Sequence, residues 1–127
     1  ALALVTAALD QRVTACVANH PALSDMAGYL DNRAGGYPHF NRLNGMLTTE
    51  KVRTMAYYDV VNFARRITCP VYLTWGFNDN TCPPTTSDIV WNLITSPKDS
   101  LITPINEHWT TEATNFNQML WLKDHIQ

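Results

Sequence analysis

Three short apolar runs, Val13 to Ala18, Val71 to Trp75 and Ser100 to Ile105, alternate with segments whose apolar residues recur at helical spacing. Few architectures accept that alternation. Strands separated by helices pair in parallel through right-handed crossovers, so the pattern predicts an α/β fold of three layers, α/β/α, with a mostly parallel sheet. The expected order is helix, strand, an irregular excursion carrying a helix, strand, helix, strand, helix.

Leu2, Val5 and Leu9 lie at helical spacing among alanines, which predicts a first helix over Ala1 to Leu9, packed tightly on a sheet. No Ser, Thr, Asp or Asn precedes it as a cap, so its true start is expected upstream of Ala1. From Leu23 to about Asn44 the periodicity dissolves into Gly28, Gly35-Gly36 and Tyr37-Pro38. Thr48 then reads as the cap of a helix in which Val52, Met55, Ala56, Val60 and Phe63 continue at i, i+3, i+4 spacing. Residues of about 24–66 are therefore read as an excursion or lid-like region above the sheet, within one domain over 1–127. Pro83-Pro84 opens the next helix, with Ile89, Val90, Leu93 and Ile94 on its buried side. A last helix from about Thr111 to His125 carries Phe116, Met119, Leu120 and Ile126 as its apolar residues.

With 46% hydrophobic and 16% charged residues, the chain has the composition of a folded core. A net charge of -2 and the lack of Lys/Arg runs give no electrostatic reason to expect nucleic acid or an anionic membrane as partner. No apolar stretch approaches the roughly 20 residues that cross a bilayer. Ala1 to Val5 lacks the basic region of a signal peptide, so no targeting is visible and the compartment stays open. Cys16, Cys69 and Cys82 are odd in number and sit in or beside strand-like runs, which favours buried free thiols. His20, His39, His108 and His125 include no HExxH pair and no Cys-x-x-Cys is present, so neither a metal nor a cofactor site is expected.

Chemistry in an open parallel sheet sits at the carboxyl ends of the strands. Asp79, in Asn78-Asp79-Asn80, and His108, after Glu107, both fall just past such ends on neighbouring strands. Together they read as two members of a Ser-Asp-His triad, with His108 the base and Asp79 the carboxylate that orients it. Taken singly, Asp79 also reads as a turn residue and His108 as a surface loop histidine. His20 at the first strand's end and Trp109 beside His108 are candidates to line a substrate pocket. Ser24, Ser87, Ser96 and Ser100 lack the flanking glycines of a nucleophile elbow, and no Gly-x-Ser-x-Gly occurs. Cys82, near a helix N-terminus, reads as packing rather than as a nucleophile.

The stretches Tyr58-Asp59-Val60-Val61-Asn62-Phe63-Ala64-Arg65-Arg66-Ile67-Thr68-Cys69-Pro70-Val71 and Gly76-Phe77-Asn78-Asp79-Asn80-Thr81-Cys82-Pro83-Pro84 resemble acetyl xylan esterases and cephalosporin-C deacetylases of carbohydrate esterase family seven, which are α/β-hydrolases. Ala1 to Val13 and His20-Pro21-Ala22-Leu23-Ser24-Asp25 resemble the region downstream of the nucleophile elbow in that family. The resemblance implies the C-terminal part of such a hydrolase, with Asp79 and His108 matching the catalytic acid and histidine. Glu107 departs from the glycine that usually precedes this histidine. The family's serine, in Gly-x-Ser-Gln-Gly-Gly, would lie immediately before the segment matching Ala1, and the oxyanion-hole donors also come from upstream. The implied substrate is an acetylated xylo-oligosaccharide or a related small acetyl ester. Two other readings stay open: a non-catalytic half-domain that self-associates through an exposed sheet edge into a homo-oligomer, and a serine peptidase of the same fold.

Overall fold

The computed structural model describes residues 1–126. Strands β1 (Cys16–Asn19), β2 (Val71–Gly76) and β3 (Lys98–Thr103) form one sheet in the order β1-β2-β3, parallel throughout. Around it lie α1 (Leu2–Leu9), α2 (Thr49–Ala56), α3 (Val61–Ala64), α4 (Pro84–Leu93) and α5 (Glu112–His125), with 3-10 turns at Gly28–Asp31 and Phe40–Arg42. The α/β architecture read from the alternation is the one formed.

β2 is buried at every position, because helices cover both of its faces. Val71, Leu73 and Trp75 enter one core with Leu4, Ala7 and Ala8 of α1, Ala64 of α3 and Val90 of α4. Alternate residues point the other way, towards α5. There the Tyr72 and Trp121 rings lie 5.5 Å apart, and the Thr74 hydroxyl donates to Asn19 Oδ1 at 2.9 Å. The three layers are thus α1, α3 and α4 on one side, the sheet, and α5 on the other.

Several local expectations are corrected. In α1 the buried residues are Leu4, Ala7 and Ala8, while Leu2 and Leu9 are exposed. Small alanine side chains let the helix approach β1 closely, and that face outweighs the Leu2-Val5-Leu9 stripe. β1 starts three residues later than its apolar run, and β3 begins two residues earlier, at Lys98. The Lys98 ammonium donates to the Trp91 and Ile94 carbonyls at the end of α4, which fixes the turn and the strand start together.

The periodicity from Val52 to Phe63 is not one helix, because the chain breaks between Ala56 and Val61. Asp59 lies in the break, buried, and its carboxylate accepts the backbone N–H groups of Asp25 at 2.9 Å, Met26 at 2.7 Å and Val61 at 3.1 Å. Burial raises its pKa, and the three N–H donors oppose that rise. A single carboxylate therefore ties the start of the excursion to α3.

In α5 the inward residues are Thr114 and Gln118, whereas Phe116, Met119, Leu120 and Ile126 are exposed. The sheet surface below carries Asn19 and Thr74, so a helix residue with an amide donor fits there: Gln118 Nε2 donates to Asn19 Oδ1. Hydrogen-bond satisfaction overrides hydrophobic spacing at this contact. Cys16, Cys69 and Cys82 are buried and unpaired thiols. Among the described residues no helix is long and apolar enough to cross a membrane.

Replacing Asp59 with alanine leaves three buried N–H groups without their acceptor. We expect a loss of about 2–4 kcal/mol, with Asp59→Asn losing less because one acceptor oxygen remains. Urea unfolding of the protein carrying this chain checks both.

Candidate active site

The site begins with a turn. β2 ends at Gly76, and the chain folds over so that the Asp79 N–H meets the Gly76 carbonyl at 3.4 Å. Asp79 Oδ1 accepts the N–H groups of Thr81 and Cys82, both at 2.8 Å. These local bonds are those expected of an acidic turn residue, and they use one oxygen only.

Asp79 Oδ2 faces the other way and accepts two imidazoles, His108 Nδ1 and His20 Nδ1, each at 2.8 Å. The side chain is fully buried. Burial alone would raise the Asp79 pKa, but the Cys82 N–H, the two histidines and the Thr81 N–H together hold it below the ordinary carboxylate value. The group is therefore an anion in a nearly dry place, stabilised wholly by directed donors. Its negative charge is available to either ring.

His108 arrives from the loop after β3. That loop packs across the end of β2, where Asn78 N–H donates to the Asn106 carbonyl at 3.1 Å and the Asn78 amide to the Ile105 carbonyl at 3.2 Å. Gly76 makes the approach possible, because a Cβ there would strike the Asn106 backbone carbonyl. Asn106 is buried, and its amide donates to the Trp109 carbonyl at 3.4 Å. His108 is 44% exposed at its side chain. Its Nδ1 is engaged by Asp79, and among the described residues Nε2 has no hydrogen-bond partner.

The structure thus joins Asp79 and His108, and adds His20, which the sequence suggested only as a pocket-lining residue. His20 is 7% exposed, and its ring centroid lies 5.1 Å from that of His108. Trp109 is exposed beside the site. The excursion is anchored here by His39, whose Nε2 donates to the Thr81 carbonyl at 2.9 Å. Gly76, Asn106 and His39 were not singled out by the sequence. A glycine ending a strand before an acidic turn is a visible sign of close backbone approach, whereas nothing local marks His39.

The three side chains His20, Asp79 and His108 are also a possible metal ligand set, their donor atoms lying within 4.8 Å of one another. Motif spacing gave no warning of it, since the histidines come from separate strands. Both Nδ1 atoms meet one oxygen at hydrogen-bond length, which is the arrangement of two N–H donors on a shared carboxylate oxygen.

Cys82 is no nucleophile. Burial first, and the Asp79 charge second, push its thiol up to about 12, so it is protonated at neutral pH. Ser24 is buried and its hydroxyl donates to the Ala22 carbonyl at 3.3 Å. Among the described residues no serine is hydrogen-bonded to His20 or His108. An apolar cavity of about 370 Å³ lies within the excursion, lined among others by Leu23, Met26, Phe40, Met46, Met55 and Tyr58, and neither Asp79 nor His108 borders it.

Comparison with known proteins shows the family. The profile of the acetyl xylan esterase (AXE1) family matches residues 1–125. Acetyl esterase Axe7A of Xylanibacter ruminicola is 83% identical over all 127 residues, which span 29% of that protein's length. Among solved structures, acetyl xylan esterase 1 from Thermoanaerobacterium sp. JW/SL YS485 superposes with a TM-score of 0.85 at 28% identity, over 99% of this chain and 42% of the other. Acetyl xylan esterase from Paenibacillus sp. R4 gives 0.83 at 26% identity, over 98% and 42%. The chain spans well under half of each of these relatives. Its parallel sheet and flanking helices are part of an α/β-hydrolase fold, and the chain belongs to the acetyl xylan esterase family.

Proposed function

We propose that this chain is the C-terminal portion of a carbohydrate esterase that removes acetyl groups from acetylated xylo-oligosaccharides or related small esters through a Ser-Asp-His mechanism. The observation that carries the reading is the 2.8 Å bond from His108 Nδ1 to the buried Asp79 Oδ2, at the carboxyl ends of adjacent parallel strands in a chain of this family. The nucleophilic serine belongs to an elbow that precedes α1. Support comes from topology: α1 leads through a short turn into the start of β1 and packs against that strand, so the beginning of α1 lies at the carboxyl end of the sheet. An elbow leading into α1 opens towards the same end of the sheet.

In this mechanism the serine Oγ attacks the acetyl carbonyl carbon and its proton passes to His108 Nε2. The C–O bond to the sugar breaks, and the leaving alkoxide takes that proton. A water then attacks the acetyl-serine, giving its proton to Nε2. Acetate departs as the serine oxygen recovers the proton. Asp79 stays ionised throughout; it holds the Nδ1–H tautomer and stabilises the imidazolium each time it forms. The region of about 24–66 serves as a cover over this end of the sheet, held to the Asp79 turn by His39. An upstream strand pairs with the free edge of β1.

Four outcomes test the proposal. The chain alone should neither hydrolyse p-nitrophenyl acetate nor react with a fluorophosphonate serine probe, and appreciable labelling overturns the assignment of the nucleophile. In the full-length protein, Asp79→Asn should lower kcat by about 10³–10⁴-fold with KM little changed, since the histidine loses its tautomer partner. Gly76→Ala should displace the Asn106 carbonyl and with it His108, lowering kcat by roughly a hundredfold while circular dichroism stays native. Peptide substrates offered to the same preparation should remain uncleaved.

A further inference from the structure

His20 stands outside the triad just described, yet it makes the same bond to Asp79 as His108 does. Its imidazole is almost wholly buried, with a side-chain exposure of 6% against 44% for His108. It follows the last residue of β1, where its N–H continues the parallel ladder to the Thr74 carbonyl at 2.8 Å. Its backbone then turns into the left-handed region, φ 42°, which a side chain with a Cβ adopts only when the surroundings impose it. A glycine or asparagine would satisfy that turn with less strain.

The ring does one thing visible in the structure: Nδ1 donates to Asp79 Oδ2. Because Oδ1 is already saturated by Thr81 and Cys82, the two lone pairs of Oδ2 are divided between His20 and His108. We propose that His20 is a positioning residue for the acid–base pair, fixing the direction of Asp79 Oδ2 towards His108. The inference rests on the assignment of Asp79 and His108 made above.

The consequence for His108 is one of aim. With His20 and His108 both donating to Oδ2 at 2.8 Å, that oxygen is held from two sides. Removing the His20 donor leaves one side open and frees Asp79 to swing, so the histidine base is less well aimed and kcat falls while substrate binding does not.

The test uses the full-length protein and p-nitrophenyl acetate, with kcat and KM measured for wild type, His20→Leu, His20→Asn and Asp79→Asn. His20→Leu should lose about tenfold or more in kcat at nearly constant KM. His20→Asn places an amide N–H near the former Nδ1 and tolerates the left-handed backbone, so it should recover most of kcat. Correcting kcat for the folded fraction by circular dichroism keeps the result readable if His20→Leu is less stable. Unchanged kcat in His20→Leu, a loss carried by KM instead, or equal losses in both variants overturns the positioning role. Retained activity in Asp79→Asn would instead overturn the Asp79–His108 assignment on which the role depends.

Discussion

A buried carboxylate with four donors organises this end of the molecule. Asp79 has almost no contact with solvent, so each lone pair must be met by protein, and each donor that meets one is thereby fixed in place. Two donors belong to its own turn and set the orientation of the carboxylate plane. The other two come from the end of β1 and the loop after β3. One anion thus holds the carboxyl ends of all three strands in register, and the same requirement for satisfaction that stabilises the fold also aims the histidines.

The parallel sheet supplies the frame on which that convergence is possible. Since β2 is covered on both faces, its residues leave no freedom of tilt, and the turn at Gly76 projects Asp79 from a rigid base. The His108 loop has no comparable support of its own. It gains precision by lying against the β2 end through the Asn78–Asn106 bonds, at a distance that only a glycine permits. The excursion is tied in the same manner by polar groups, Asp59 at its root and His39 at its tip.

Much of this was legible in the chain itself, and the failures have a common cause. Strand and helix order, the Thr48 cap, the Pro84 helix start and the Asp79–His108 pair follow from local chemistry and from period. Helix faces were less legible. In α1 alanines rather than leucines face the core, and in α5 Thr114 and Gln118 displace Phe116, Met119 and Leu120 from the buried side. Hydrophobic spacing reports what a helix could bury, whereas the neighbouring surface decides which face it does bury. The break at Asp59 was hidden for the same reason, since its partners Asp25 and Met26 are remote in sequence.

By itself, the sequence determined the α/β architecture, the positions of an acid and an imidazole at adjacent strand ends, and the family resemblance carried by its Asp-x-x-Cys-Pro-Pro stretch. Those features depend on residues near one another in the chain, where propensity, proline geometry and period act directly. Only the tertiary structure decided that Asp79 bonds two histidines rather than one, that Gly76 is the point of closest approach, and that His39 reaches across to the Asp79 turn. These are contacts between segments brought together by the sheet, and no local pattern encodes the partner that will fill a buried lone pair.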